Sequence, residues 1–294
     1  MKIVVWGTRG SLAAPGPETV KYGGNTVCVE VRATGDHVLV LDAGSGIRRL
    51  GAALPPETRR IDVLLTHLHM DHLVGLGFFD ALYRPDLEVH IWGPASTTQD
   101  LAARLTRYLS PPLFPVRIRD LACRLALHDV PLGTFSVPNF EIQSALVAHP
   151  GPTVGYRVTH ADGVVTYLTD HEPALGVTDF PGVAEWTSGY DLAHGADVLI
   201  HDAQFDDDEY RDRQGWGHSS VAHALAFAEL TEVGHLVAFH HDPTHDDEIL
   251  DDLYAAARAM AFPFQLTVAH EGLEIRLPRG QHDGQGEVRR EGTA

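Results

Sequence analysis

The segment His67-Leu68-His69-Met70-Asp71-His72 follows directly on the run IDVLLT at residues 61–66. That run reads as a central strand covered on both faces. Four groups able to ligate a metal therefore sit within six residues at the end of a buried strand, where a tight turn can aim them into one cavity. Imidazole and carboxylate together suit zinc, manganese or iron. The bland alternative is a chance cluster of surface histidines, which the buried strand makes the poorer reading. Nineteen histidines in 294 residues are thus the first feature to explain.

Six residues cannot complete two coordination shells, so more distant ligands are needed, and they should also lie at strand ends. His149 follows the run at 144–148, Asp170 follows VVTYLT, and His240 follows LVAF. A lone histidine at such a place is more often structural. Three such positions in a chain that already carries HxHxDH favour ligation.

Around these positions strands and helices interleave. Strands are expected at residues 3–6, 27–32, 38–42, 61–66, 87–92, 140–148, 154–159, 164–169, 198–201, 236–240 and 266–269. Helices are expected at 73–83, 97–109, 183–194, from a Ser219 or Ser220 cap to 230, and at 246–260. No Ser/Pro-rich hinge or repeat divides the chain, which predicts one α/β domain with two sheets inside and helices outside, over residues 1–279. The Gly-rich, charged stretch 280–294 is expected to be a frayed tail.

Forty acidic residues against 22 Lys and Arg give a net charge of −18, which argues against docking a long polyanion. Two cysteines, Cys28 and Cys123, cannot staple a chain of this size and fit a reducing cytoplasm. No export signal and no run of 18 apolar residues is seen, so no membrane association is expected.

THLHMDH resembles the signature of the metallo-β-lactamase superfamily. The order GTRGS, YGGNTVCVEV, LDAGSG, AHPGPTVGYRV, YLTDHEP, LIHDAQF, GWGHSS and FHHDP is similar to its ribonuclease Z-like phosphodiesterase branch. The resemblance implies a four-layer αββα sandwich with two divalent ions, zinc foremost and manganese or iron as alternatives. His67, His69 and His149 would hold one ion, Asp71, His72 and His240 the other, and Asp170 would bridge them. His241 is one residue from the last of these and stays open as its substitute. The resemblance also makes Asp71, Asp202 and His218 the catalytic set, with Asp202 orienting His218 as a proton donor; His218 serving only to pack before the helix is the alternative. His171, Glu172 and His201 are candidates for supporting the ligands. Arg9 and Asn25 would either touch a substrate phosphate or hold a turn, and the two Gly-rich segments would bring backbone amides near the ions.

The implied activity is hydrolysis of a small phosphodiester, such as a cyclic or short nucleotide, by a hydroxide held between the ions. A flavo-diiron redox enzyme would carry Glu at His69. A glyoxalase II would share THxHxDH but not GTRGS, the Asp202/His218 pair or FHHDP. Relatives that process tRNA usually carry an arm between the segments matching His149 and Asp170, which are only 21 residues apart here. Lactone, ester or thioester hydrolysis is the second reading, and a metal-loaded sensor or scaffold without turnover the third. A homodimer is common in similar proteins.

Overall fold

A computed structural model describes residues 1–174, 177 and 180–278; the expected tail at 280–294 lies outside the described residues. Strands β1 (Lys2–Gly7), β2 (Cys28–Arg32), β3 (His37–Leu41), β4 (Arg60–Leu64), β5 (Glu88–Pro94) and β6 (Arg124–Val130) form a first sheet in that order. Strands β7 (Gly133–Val137), β8 (Phe140–Leu146), β9 (Val154–His160), β10 (Gly163–Leu168), β11 (Val198–Asp202), β12 (His235–Phe239) and β13 (Gln265–Val268) form a second. The closing strand β14 (Glu274–Arg276) returns to the first sheet beside β1. Each sheet is antiparallel on one side and parallel on the other. The change falls at β3 in the first, where β2 pairs antiparallel and β4 parallel, and at β10 in the second.

Alternation along the strands decides which side chains fill the middle. Ile3, Val5, Val29, Val31, Leu39 and Leu41 from the first sheet meet Tyr156, Val158, Tyr167, Ile200 and Phe239 from the second in one buried cluster. The other faces are covered by helices. Val38, Val40, Ile61 and Val63 pack against α1 (Ile47–Ala52) and α2 (Leu101–Thr106). Leu199 and Leu236 pack against α3 (Tyr190–Ala193) and α5 (Val221–Leu230), with α4 (Asp207–Asp212) preceding α5 in the chain. Ala238 and Val268 pack against α6 (Asp247–Ala259). The molecule is a four-layer αββα sandwich, as expected.

Some elements differ from expectation. Residues 73–83 form two 3₁₀ turns, Leu76–Phe78 and Asp80–Tyr83, rather than a helix. Gly75 packs so tightly that a Cβ there would lie 2.0 Å from the Gly44 carbonyl, and this approach sets the path of the chain over helical spacing. Residues 183–194 likewise reduce to the turn Ala184–Trp186 and the one-turn α3. The helix expected at 97–109 is shorter, starting where the Asp100 side chain accepts the Ala103 N–H. Of the two serines, Ser220 caps α5 by accepting the His223 N–H.

The strand-end positions all fall at one edge. His67–His72 follow β4, His149 follows β8, Asp170 follows β10 and His240 follows β12, so the loops of both sheets meet there.

Candidate metal centre

Two groups of potential ligands form at that edge, each with its donor atoms within 4.8 Å of one another. One comprises His67, His69, His149 and Asp170; the other comprises Asp71, His72, Asp170 and His240. Asp170 faces both with different oxygens. Its Oδ1 is 3.0 Å from His72 Nε2 and 2.9 Å from His240 Nε2. Its Oδ2 is 3.7 Å from His67 Nε2 and 3.9 Å from His149 Nε2. Asp71 Oδ2 lies 3.3 Å from His72 Nε2 and 3.5 Å from His240 Nε2. Ligands bound at about 2.0–2.1 Å in a tetrahedral shell stand about 3.4 Å apart, which is the spacing of these atoms. The buried Nε2 atoms of His67, His72 and His240 make no hydrogen bond. Converging, unpaired nitrogen lone pairs facing carboxylates are a donor set that fits divalent ions.

The opposite ring nitrogens explain why these atoms converge. His72 Nδ1 is 2.8 Å from Asp42 Oδ2, and Asp42 also accepts the Thr66 N–H at 2.8 Å and the Tyr167 hydroxyl at 3.0 Å. His149 Nδ1 donates to the Gly217 carbonyl at 2.9 Å, and His240 Nδ1 to Gln204 Oε1 at 3.0 Å. Each of these hydrogen bonds fixes the ring's tautomer and orientation. The Asp71 carboxylate accepts the Ser11 N–H at 2.8 Å. Asp42, Asp170 and His240 all adopt left-handed backbone conformations, with φ of 60°, 51° and 63°. Such conformations cost about 1–3 kcal/mol each and collect at functional sites.

Burial and charge act unequally on the rings. Burial pushes His67, His69 and His149 down towards the neutral form. Burial also disfavours charge on His72 and His240, but Asp170 and Asp71 outweigh it. The His72 ring is thereby driven well up, and His240 to about 10. The same histidines, with burial opposing, hold Asp170 and Asp71 well below the usual carboxylate range.

Beside this centre His218 Nδ1 lies 2.8 Å from Asp202 Oδ2, and its ring stacks on His240 with centroids 5.0 Å apart. Asp202, His218 and His240 also form a third group of converging donors. Its donors are already engaged, however. Asp202 Oδ1 accepts the N–H groups of Ser219 and Gln204 at 2.9 and 3.1 Å, Oδ2 faces His218, and His240 Nδ1 is used by Gln204. This arrangement suits an oriented imidazole better than an ion.

The seven expected ligands thus fall in the first two groups, with the expected pair alongside. His241 is in neither group. Its Nε2 donates to the Ala269 carbonyl at 2.9 Å, and burial, with Arg9 and His240 adding, lowers its pKa to about 3. The substrate role weighed for Arg9 is corrected. Its fully buried guanidinium donates to the carbonyls of Gly23, Asp242 and His245 and pins a turn. Asn25 also holds structure, donating to Glu271 at 2.9 Å while its Oδ1 accepts the Ser45 hydroxyl at 3.0 Å. His171 and His201 form a buried pair 2.9 Å apart against Phe227. Glu172 accepts the N–H groups of Gly215 and Gly217 and the Tyr210 hydroxyl, fixing the loop that carries the Gly217 carbonyl and His218. Gly217, at φ 89°, leaves room for His149, whose Nδ1 would lie 2.3 Å from an added Cβ.

Sequence reasoning missed Asp42 and Gln204 as orienting groups, whereas GTRGS does bring an amide to the centre, the Ser11 N–H on Asp71. LDAGSG was legible as a turn, but its contribution to the centre is the Asp42 carboxylate rather than amides.

A beta-lactamase superfamily domain model matches residues 37–241, and the chain belongs to that superfamily. It is a metal-dependent hydrolase, and its sequence is similar to those of the ribonuclease Z-like branch. A ribonuclease Z of Mycobacterium sp. (strain KMS) is 29% identical over 296 residues, covering 91% of this chain and 94% of the relative. Solved structures share the fold, and two of them illustrate it. Zn(2+)-bound PqqB from Methylobacterium extorquens has a TM-score of 0.67 at 21% identity, covering 94% of this chain and 100% of its own. Human tRNase Z, short form, has a TM-score of 0.65 at 20% identity, covering 95% and 100%. The superfamily fold implies divalent metal ions. Among the described residues no helix is long and apolar enough to cross a membrane.

Proposed function

We propose that the chain hydrolyses a small phosphodiester, a cyclic or short nucleotide, with two divalent ions, zinc foremost, held by His67, His69, His149 and Asp170 and by Asp71, His72, Asp170 and His240. The observation that carries this is the division of Asp170 between two donor groups, with the Asp202–His218 pair stacked against one of them. Bound ions there supply Lewis acidity, offsetting phosphoryl charge and lowering the pKa of water. The protein's own residues do the rest. Asp202 holds the His218 Nδ1 at 2.8 Å and fixes the direction of the ring, so that Nε2 can deliver a proton to the departing alkoxide. Asp42, Gln204 and the Gly217 carbonyl keep the ligand rings from turning. The Asp71 and Asp170 carboxylates, already ionised, balance the ions' charge.

A small substrate is supported by what lies between His149 and Asp170. Those residues are joined by a loop and the β9–β10 hairpin, whose turn runs from His160 to Gly163, with no arm to grip an RNA. The net charge of −18 adds repulsion for a long polyanion. The two free, buried cysteines suit a reducing cytoplasm.

The test is turnover by zinc- or manganese-reconstituted protein of bis-p-nitrophenyl phosphate, cyclic nucleotides and dinucleotides, beside a lactone panel and a precursor tRNA. Phosphodiester turnover is expected. Reaction of the lactones alone would replace the reading by ester hydrolysis. Efficient cleavage at the 3′ end of the tRNA would overturn the small substrate.

A further inference from the structure

Next to His67 and His69 a cavity of about 660 Å³ opens between the histidine loop, the end of β5, α2 and residues 150–152. Its size suits a ligand of several hundred daltons, far more than a phosphoryl group requires. Its walls are unlike the rest of the chain. Forty of 294 residues are acidic, yet no Asp or Glu lines this space, and two arginines do. Apolar side chains form much of the remainder, and Met70 and Leu113 are 52% and 71% exposed there. Large apolar side chains left in water around a concave site mark a place where an organic group binds.

The two arginines have different duties. The Arg104 guanidinium is committed to structure, donating to the Pro94 carbonyl at 2.7 Å and to Asp129 at 3.4 Å. Arg107 is three residues on along the same helical rise. It closes the end of α2 with its backbone N–H, while its side chain meets no hydrogen-bond or ion-pair partner among the described residues. An arginine on a strongly acidic protein finds a carboxylate readily. One that faces an acid-free cavity beside a metal centre is placed to receive an anion from outside.

We propose that this cavity is a second substrate subsite, in which the apolar wall takes a nucleoside-sized group and Arg107 binds a terminal phosphate monoester on it. The substrate class is then a phosphodiester with a second, terminal phosphate, such as a 5′-phosphorylated dinucleotide. This rests on the phosphodiesterase reading for its consequence in turnover, but the subsite itself is a matter of binding. A guanidinium matches a dianionic phosphate with two parallel hydrogen bonds.

The test compares pApA with ApA, which lacks only the terminal phosphate, on metal-loaded wild type and on Arg107→Met. In the wild type kcat/KM should favour pApA, and the substitution should cut that preference about tenfold or more, with most of the change in KM. Arg107→Lys should recover part of the preference, since it restores charge without the fork. An unchanged ratio between the two dinucleotides would overturn the proposal. If neither dinucleotide nor bis-p-nitrophenyl phosphate is hydrolysed, the phosphodiesterase reading fails by itself. Calorimetric binding of the same pair then decides the subsite: tighter binding of pApA that is lost in Arg107→Met supports it, and equal binding of both by the wild type rejects it.

Discussion

A proton donor differs from a ligand in what its removal changes. His218 touches Asp202 through Nδ1 and is 12% exposed, whereas His240 behind it is fully buried among carboxylates. Its Nε2 is free to reach a substrate oxygen. His218→Ala should therefore leave the metal content of the purified protein unaltered while lowering turnover of nucleotide phosphodiesters by about 10²–10⁴. The loss should be much smaller on bis-p-nitrophenyl phosphate, because p-nitrophenolate departs without being protonated. Metal analysis and kcat on substrates of graded leaving-group basicity measure both parts. An equal loss on every leaving group would make His218 a positioning residue instead.

At the scale of strands, the first sheet carries a charge network of its own, away from the metal centre. The Asp62 carboxylate on β4 is fully buried and ties three neighbours together. It accepts from Arg60 on the same strand at 2.8 Å and from Trp92 on β5 at 2.8 Å, and it lies 2.9 Å from His37 Nε2 on β3. Burial alone would raise its pKa, but His37, Arg60 and Trp92 together hold it well below the usual carboxylate range. A carboxyl group with a depressed folded-state pKa stabilises the fold above its unfolded value of about 3.9, and the contribution fades as pH falls below that. Asp62→Asn should cost about 2–3 kcal/mol near neutrality, through lost charged hydrogen bonds. The gap between variant and wild type should then narrow as pH falls from 6 towards 3. Urea unfolding at several pH values reads this directly, and a gap that stays constant would remove Asp62 from the acid response. Asp62 also shows what a one-dimensional pattern hides. Within IDVLLT it interrupts an apolar run, and only the pairing of β3, β4 and β5 supplies its partners. The strand ends bearing His67, His149, Asp170 and His240 were legible because apolar runs stop at them. Strands β6 and β7 were not, since RLALHDV and GTFSV mix polar residues into half-exposed edges. The helix expected at 73–83 failed for a related reason, because the close approach of Gly75 to Gly44 is a tertiary constraint. Asp42 and Gln204 were missed because orienting a ring leaves no spacing rule in the sequence.

For the molecule as a whole, the centre lies where the two sheets meet, and its proposed ligands are divided between them. His67, His69, Asp71 and His72 hang from β4 of the first sheet, while His149, Asp170 and His240 hang from β8, β10 and β12 of the second. Below this edge the sheets adhere by apolar contact. At the edge, facing histidines and carboxylates replace that contact, and without ions Asp71 and Asp170 push the fully buried His72 and His240 towards the charged form. An ion bound across the seam therefore acts as a cross-link of the native state that the unfolded chain cannot form. Metal at a hundredfold excess over its dissociation constant stabilises by about 2.7 kcal/mol for one site, or about 5–11 °C in melting temperature for a chain of 150–250 residues, and somewhat less for this longer one. Chelation followed by titration with zinc should move the thermal midpoint by several degrees, rising with metal concentration. His149→Ala, which removes a ligand from the second sheet's side only, should shrink the shift, while His218→Ala should leave it intact. A midpoint indifferent to chelator and zinc would mean that the seam holds without ions. The facing carboxylates and imidazoles would then be satisfied by their own proton exchange, and the two-ion reading of this edge would fall.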